Sequence, residues 1–326
     1  MRRMNILVCG GAGYIGSHMV KLLLERGHEV TVFDDLSTGS RDAVVGGRFE
    51  FGDLGDAAAL DRLLGSSSYD AVMQFAAFIR ADESVAQPGK YFRNNFCNTL
   101  NLLDAMVKHG VAQFIFSSTA AVYGEPQYMP IDEKHPLAPI NPYGVSKRMV
   151  EDALTHYSRA YGLKCVPLRY FNAAGADPSG RLGPRTELLN NLIPVVLRAA
   201  AGAIPNVKVF GRDYPTPDGT GIRDYIHVVD LCEAHLAALD YLRRGGETRA
   251  FNLGTGRGYS VQEVIDAARR VTGRDFEVIS EARRPGDPAQ SIADPSAANQ
   301  AFGWKARYDD IDTIVAHAWA WQLKSK

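Results

Sequence analysis

The segment that most restricts the fold is short. An apolar run, Asn5 to Cys9, passes directly into Gly10-Gly11-Ala12-Gly13-Tyr14-Ile15-Gly16, and an amphipathic helical pattern continues from Ile15 to Arg26. Glycine at these places permits a positive φ in the turn, lets the backbone approach a bulky anion without a Cβ in the way, and allows helix to pack closely on strand. The helix N-terminus beyond the turn carries unpaired N–H groups and the positive end of the helix dipole, so the segment reads as a pyrophosphate cradle. A glycine pattern alone occurs in many plain turns. The strand before it and the helix after it make it specific to a dinucleotide-binding βα unit.

The rest of the first half repeats the alternation. Apolar runs Glu29 to Phe33, Phe49 to Phe51, Ala71 to Phe75 and Phe114 to Phe116 are separated by helical patterns, two of which stop at Gly27 and Gly110, residues suited to left-handed helix ends. A longer helix is expected from Pro142 to Tyr161, ending at Gly162, and a strand from Lys164 to Arg169. This order implies an α/β protein, a Rossmann-type doubly wound parallel sheet covered by helices on both faces. Pro and Gly then concentrate between Asp177 and Gly221, which marks a smaller α/β lobe. The expected division is a dinucleotide-binding domain over 1–172, joined by later segments near 222–255, and a substrate lobe drawn mainly from 173–326.

Composition removes several function classes. Thirty-six Lys and Arg against 37 Asp and Glu leave a formal charge of −1, so no general basic field invites nucleic acid or an anionic membrane, and phosphate binding must be local. No apolar run reaches membrane-spanning length, and no signal-peptide core follows Met1. Cys9, Cys97, Cys165 and Cys232 are scattered without a CxxC pair, and the histidines, His18 and His227 among them, have no HExxH-like spacing. The expectation is a cytoplasmic protein with no structural metal.

Two further patterns carry chemistry. Asp34 closes the second strand eighteen residues after Gly16, where a carboxylate accepts hydrogen bonds from the adenosine ribose and repels a 2′-phosphate; NAD is favoured over NADP. Asp53, after the third strand, is a candidate for the adenine or a simple loop cap. Tyr143 and Lys147 stand four apart, one turn on one helix face. A tyrosine pKa of about 10 is too high for a base at neutral pH, and a nearby ammonium and nicotinamide cation both favour the phenolate. Ser117-Ser118-Thr119 follows the strand Phe114 to Phe116 at the edge of the ligand crevice, and Thr119 is the candidate to share a proton with Tyr143.

Taken together, GGAGYIGS, FIFSSTAAVYGE, NPYGVSK, LRYFNAAGADPSG and GTGIRDYIHVVDL resemble the extended short-chain dehydrogenase/reductases, in particular the UDP-glucose 4-epimerases, over nearly the whole chain. The resemblance implies NAD held by Gly10, Gly13, Tyr14, Ile15, Gly16, Asp34, Asp53, Leu54, Phe75, Ala76, Ala77, Asn95, Ser117, Tyr143, Lys147 and Tyr170. It implies a UDP-sugar held by Thr119, Tyr143, Asn172, Asn191, Leu192, Phe210, Arg223, Arg284, Asp287 and Ser291, with the two arginines on the diphosphate. Tyr143 would take the O4 proton, Thr119 would relay it, and Lys147 would hold the nicotinamide ribose and lower the Tyr143 pKa. The 4-keto sugar would turn and regain its hydride on the other face, so NAD would stay bound.

Related dehydratases carry an Asp-Glu pair after the threonine, whereas this chain has Ala120-Ala121, which favours epimerisation over elimination. Ile79 stands where many relatives have a lysine on the cofactor phosphates, with Arg80 beside it, and the small Ser291 would leave room for an N-acetyl group, as in UDP-GlcNAc. A homodimer through the helices near Asn94 to Lys108 and Tyr143 to Tyr161 is also implied. A UDP-pentose epimerase, a net dehydrogenase and a non-catalytic NAD-sensing protein of the same fold remain as alternatives.

Overall fold

The computed structural model describes residues 3–185, 190–284 and 286–324. Seven parallel strands build the large sheet: β1 (Asn5–Cys9), β2 (Glu29–Asp34), β3 (Arg48–Phe51), β4 (Ala71–Gln74), β5 (Gln113–Thr119), β6 (Lys164–Tyr170) and, from much later in the chain, β10 (Phe251–Leu253). Their order is β3-β2-β1-β4-β5-β6-β10, so the direction of winding reverses between β1 and β4. Ligand crevices of doubly wound sheets open at that reversal, outside the strand C-termini.

The sheet is covered on both faces, and β1 shows why its sequence is continuously apolar. Ile6 and Val8 enter one core with Met19, Val20 and Leu23 of α1 (Tyr14–Glu25) and Leu231 and Leu239 of α8 (Val228–Arg243). Leu7 and Cys9 enter the other, against α2 (Ala57–Gly65), α5 (Asn98–Lys108) and α6 (Pro142–Tyr161). Successive residues of a strand point to opposite faces, so a strand buried twice must be apolar throughout. Between β4 and α5 lie the short α3 (Ala81–Ala86), α4 (Pro88–Tyr91) and a π-helical turn, Phe92–Cys97.

The smaller lobe is built on β7 (Asn172–Ala174), β9 (Ile222–His227), β11 (Gly258–Ser260) and β13 (Gln290–Ser291), with β8 (Asn206–Phe210) pairing β12 (Glu277–Glu281). Packed around them are α7 (Leu192–Ala200), α9 (Val261–Thr272) and α11 (Ile311–Lys324). α10 (Ser296–Phe302) lies instead with the large sheet, where Phe302 meets Phe251 at 4.5 Å between ring centroids. A single buried carboxylate, Asp224 on β9, accepts from Thr255 N (2.9 Å), Thr255 Oγ1 (2.8 Å), Gly256 N (2.9 Å) and Ala293 N (3.2 Å), joining three segments of chain.

Local chemistry sets the elements that matter for the site. Asn141 caps α6 by accepting from Gly144 N at 2.9 Å, Pro142 occupies the first turn, where its missing N–H costs nothing, and Gly162 ends the helix at φ 74. One boundary differs from the sequence reading: β5 runs on past Phe116 to Thr119, because Ser117, Ser118 and Thr119 pair with Leu168, Arg169 and Tyr170 of β6. The hydroxyls expected just beyond the strand therefore stand on it, held in register.

The glycine turn is close-packed. A Cβ at Gly16 would lie 2.1 Å from the Gly10 carbonyl oxygen, and one at Gly10, whose φ is +82, would lie 2.4 Å from Ala76 N. Backbone cannot yield as a side-chain tip can. Gly16→Ala is expected to destabilise the protein by about 1–3 kcal/mol through overpacking, measured as a lower urea midpoint at unchanged m-value.

Candidate active site

Two connected clefts open at the C-terminal ends of β1, β2, β4 and β5. The smaller is lined by Gly10, Gly13, Asp34, Asp53, Leu54, Phe75, Ala76 and Ala77, among others; the larger, about 1110 Å³, shares Gly10, Gly13, Phe75 and Ala77 with it and runs on to Tyr143, Asn172 and Arg284. An elongated ligand can lie across the shared glycine turn.

At the adenosine end, Asp34 accepts from Ala12 N (2.9 Å) and Leu36 N (2.8 Å). Burial raises its pKa while these backbone bonds lower it. Leu36 adopts φ 59 to present that N–H, the one positive φ outside glycine among the described residues, so a strained turn is held by the carboxylate. Asp53 accepts from Gly55 N at 2.8 Å, as a loop cap does, and lines this cleft. Asn95 is different. It accepts from Phe78 N (2.9 Å) and donates to Phe78 O (2.9 Å) and Ser146 Oγ (3.1 Å), and it is fully buried, so it fixes the loop after β4 instead of facing a ligand.

At the other end β5 and α6 meet. Thr119 lies at the strand end and shares the cleft wall with Tyr143, where its hydroxyl lowers the phenol pKa against the larger upward push of burial. Lys147 Nζ donates to the Ser117 carbonyl at 2.7 Å and lies 4.8 Å from the Phe116 ring centroid. Burial pulls Lys147 down to about 7, with Glu151 acting in the opposite direction. Thr119 is thus the side chain that acts on the Tyr143 phenol, and the Lys147 ammonium is turned onto Ser117. Tyr170 OH and His235 Nε2 are 2.5 Å apart; with His235 Nδ1 2.7 Å from Leu231 O, the tautomer that donates there leaves Nε2 to accept from Tyr170. Tyr14 and Ile15 line the larger cleft, and Tyr14 OH donates to Gly175 O of the second lobe at 2.7 Å.

The residues expected to hold a substrate divide. Asn172, Asn191, Arg284 and Asp287 lie on the wall of the larger cleft. Asn172 spends one amide hydrogen on Asp224 O (3.0 Å) and keeps another, while Asn191 precedes α7 without a side-chain capping bond. Leu192, Phe210, Arg223 and Ser291 are not on that wall. Leu192 packs into the core of the smaller lobe, and the Phe210 ring lies under the Arg284 guanidinium at 3.7 Å, so its face meets a cation and not the cleft. Arg223 donates to Ile222 O (2.9 Å) and pairs with Asp287 at 3.6 Å. Ser291 pairs through its backbone with Arg223 in the smaller sheet.

The strand order, the glycine turn and the Thr119, Tyr143, Lys147 set now stand together, and residues 6–254 match the family model for the NAD dependent epimerase/dehydratase family. The chain belongs to this family. Among its members, a UDP-glucose 4-epimerase from Streptococcus mutans is 49% identical over 321 residues, covering 98% of this chain and 96% of the relative. A crystal structure of the Brucella ovis UDP-glucose 4-epimerase in complex with NAD superposes with a TM-score of 0.95 at 47% identity, covering 97% of each chain. The Bifidobacterium longum UDP-glucose 4-epimerase in complex with NAD+ and UDP gives 0.92 at 40% identity, covering 98% of each.

The NAD of this family fits the residues present: glycines where a Cβ would collide, a buried carboxylate at the adenosine end, and a buried lysine beside a tyrosine at the far end. Two charged residues under the site escaped the sequence reading, Glu151 and Arg169, although Glu151 repeats the four-residue spacing from Tyr143 to Lys147. His227 and His317 approach to 3.1 Å, and the described residues hold no group of three or more metal-ligating side chains.

Lys147 is held at a cost to stability. With a native pKa of about 7, against about 10.4 in an unfolded chain, the buried ammonium destabilises fully below pH 7, and the penalty is relieved as pH rises from 7 toward 10. Lys147→Met is expected to stabilise the protein by roughly 1–3 kcal/mol at pH 6.5 and by little near pH 10, read from urea unfolding at the two pH values.

Proposed function

We propose that the chain catalyses reversible C4 epimerisation of a UDP-hexose, UDP-glucose to UDP-galactose and back, with NAD retained in the cleft. The observation that carries the reading is the convergence of Thr119, Tyr143 and Lys147 on the wall of one cleft, followed by Ala120-Ala121 where a dehydratase needs acids. NAD+, held along the glycine turn and by Asp34, would supply the hydride acceptor and donor for C4. Every other part of the reaction falls to the chain itself. Tyr143 Oη accepts the O4 proton, and Thr119 Oγ1 relays it back when the ketone is reduced. Thr119 opposes the burial that raises the Tyr143 pKa, and a nicotinamide cation bound in the cleft would act in the same direction.

Between the two hydride steps the 4-keto hexose turns about its diphosphate link. Arg284, on the cleft wall, holds the diphosphate, and its guanidinium is kept in place by the Phe210 face. Asn172 and Asn191 offer amide hydrogens to the sugar without clamping one face. Arg223 acts one step removed, by orienting Asp287 toward the uridine ribose. Assembly of Thr119, Tyr143 and Lys147 at one point favours turnover over passive NAD sensing.

The reading includes a homodimer formed through α5 and α6, supported by the exposed Tyr161 and by the Tyr157–Asp104 bond that bridges the two helices at the surface. It also includes a reducing, cytoplasmic setting, supported by four free cysteines. Among the described residues no helix is long and apolar enough to cross a membrane.

NMR of UDP-glucose incubated with the purified protein is expected to reveal UDP-galactose without added NAD. Tyr143→Phe is expected to lower kcat by about 10³-fold or more while UDP binding, followed by calorimetry, changes little. Near-normal turnover by this variant would remove Tyr143 as the base.

A further inference from the structure

We propose that Tyr91 is a positioning residue for the reaction, its hydroxyl anchoring the α3 wall of the cleft and its ring seating the base Tyr143. Tyr91 closes α4, exposes none of its surface and lies off the cleft wall, so it is not itself a catalytic residue. Its hydroxyl accepts from Arg80 N (3.1 Å) and donates to Glu83 Oε2 (2.8 Å). Glu83 Oε1 in turn accepts from Lys90 Nζ (2.6 Å), whose ammonium lies 4.3 Å from the Phe78 ring centroid. The Tyr91 ring meets Tyr143 edge-on, with centroids 6.5 Å apart and planes at 80°.

The hydroxyl has a specific task at the start of α3. Arg80 is the N-cap of that helix and makes no side-chain capping bond, and Glu83 is the third helical residue. In a capping box the third-position carboxylate takes the N-cap N–H directly; here the Tyr91 hydroxyl stands between the two and ties both to α4. A helix of six residues has too few bonds to persist alone, and with Ile79 54% and Val85 66% exposed the segment draws little support from apolar burial. Yet Ile79, Arg80, Ala81, Asp82 and Val85 all line the larger cleft. The ring is placed to equal effect. Tyr143 lies in the first turn of α6, and an edge-to-face pair fixes the plane of its phenol as an aliphatic contact would not. One buried side chain thus holds the base and a stretch of cleft wall in a fixed relation.

The effect on turnover rests on the epimerase reading; two readouts by mass spectrometry do not, namely hydrogen exchange over Arg80 to Ala86 and nitration of Tyr143 by tetranitromethane. Tyr91→Phe keeps the ring and removes the hydroxyl, and Glu83→Ala breaks the same chain of bonds from its partly exposed end. Tyr91→Leu and Tyr91→Met remove hydroxyl and ring together. In Tyr91→Phe and Glu83→Ala, exchange over the segment is expected to quicken about fivefold and KM for UDP-glucose to rise by a similar factor, while kcat and Tyr143 nitration stay within about twofold of wild type. The Leu and Met variants are expected to add a fall in kcat of about fivefold and a matching rise in nitration. Unmoved exchange and KM in Tyr91→Phe and Glu83→Ala overturn the anchor. A folded Leu or Met variant with the kcat and nitration rate of Tyr91→Phe overturns the seating of Tyr143. If exchange and nitration change as expected in a protein whose wild type turns over no UDP-glucose, the epimerase reading is overturned and the positioning role stands.

Discussion

The position of helix α1 depends on one contact between backbone atoms, the approach of Gly16 to the carbonyl of Gly10. Only a residue without Cβ lets the helix begin there, and only from there do its first N–H groups face the cleft. The turn is fixed from the other side as well, because Gly10 faces the chain leaving β4 at Ala76. β1 and β4 are the strands between which the winding reverses, so the same contacts that seat the helix also shape the crevice. The adenosine end, with Asp34 gripping the next turn, and the catalytic end, with β5 and α6, are both measured from this point.

Much of this was legible in the chain, and the reason is periodicity. β1 is apolar from Ile6 to Cys9 because it is buried on both faces, and the helix ends at Gly27, Gly110 and Gly162 all fall in left-handed backbone. The Tyr143–Lys147 spacing is legible for the same reason, since both lie on one element. What escaped were relations between elements. Ser117 to Thr119 read as lying just past the strand because their hydroxyls interrupt the apolar run, but their partners on β6 lie some fifty residues away, and pairing extends the strand through them. Phe210, Arg223 and Ser291 were assigned by resemblance to a ligand surface, while their neighbours, Arg284, Asp287 and β9, engage them within the protein. Asn95 is similar: the sequence offers an amide, and the fold engages it with Phe78 and Ser146.

The interior around the site carries more polarity than stability alone would select. Lys147 is buried against a carbonyl and a ring face, and Tyr170, His235, Glu151 and Arg169 surround the same strand ends. Each is satisfied by a partner, which is the condition on which buried polar groups are tolerated. Their bonds fix rotamers from several directions, so the reacting groups are oriented before any ligand arrives and little reorganisation is left for the chemical step.

The chain passes between the lobes repeatedly: from β6 into β7, from β9 into α8, from β10 into β11, from β13 into α10 and back into α11. Asp224 draws several of those passages together, and Tyr14 reaches across to Gly175. Two bodies stitched by so many threads do not swing apart like the halves of a clamshell. A substrate that must present first one face and then the other to the same tyrosine therefore needs its swivelling room built into the resting protein. The ample cleft is read as that room, a chamber for rotation more than a mould for one pose.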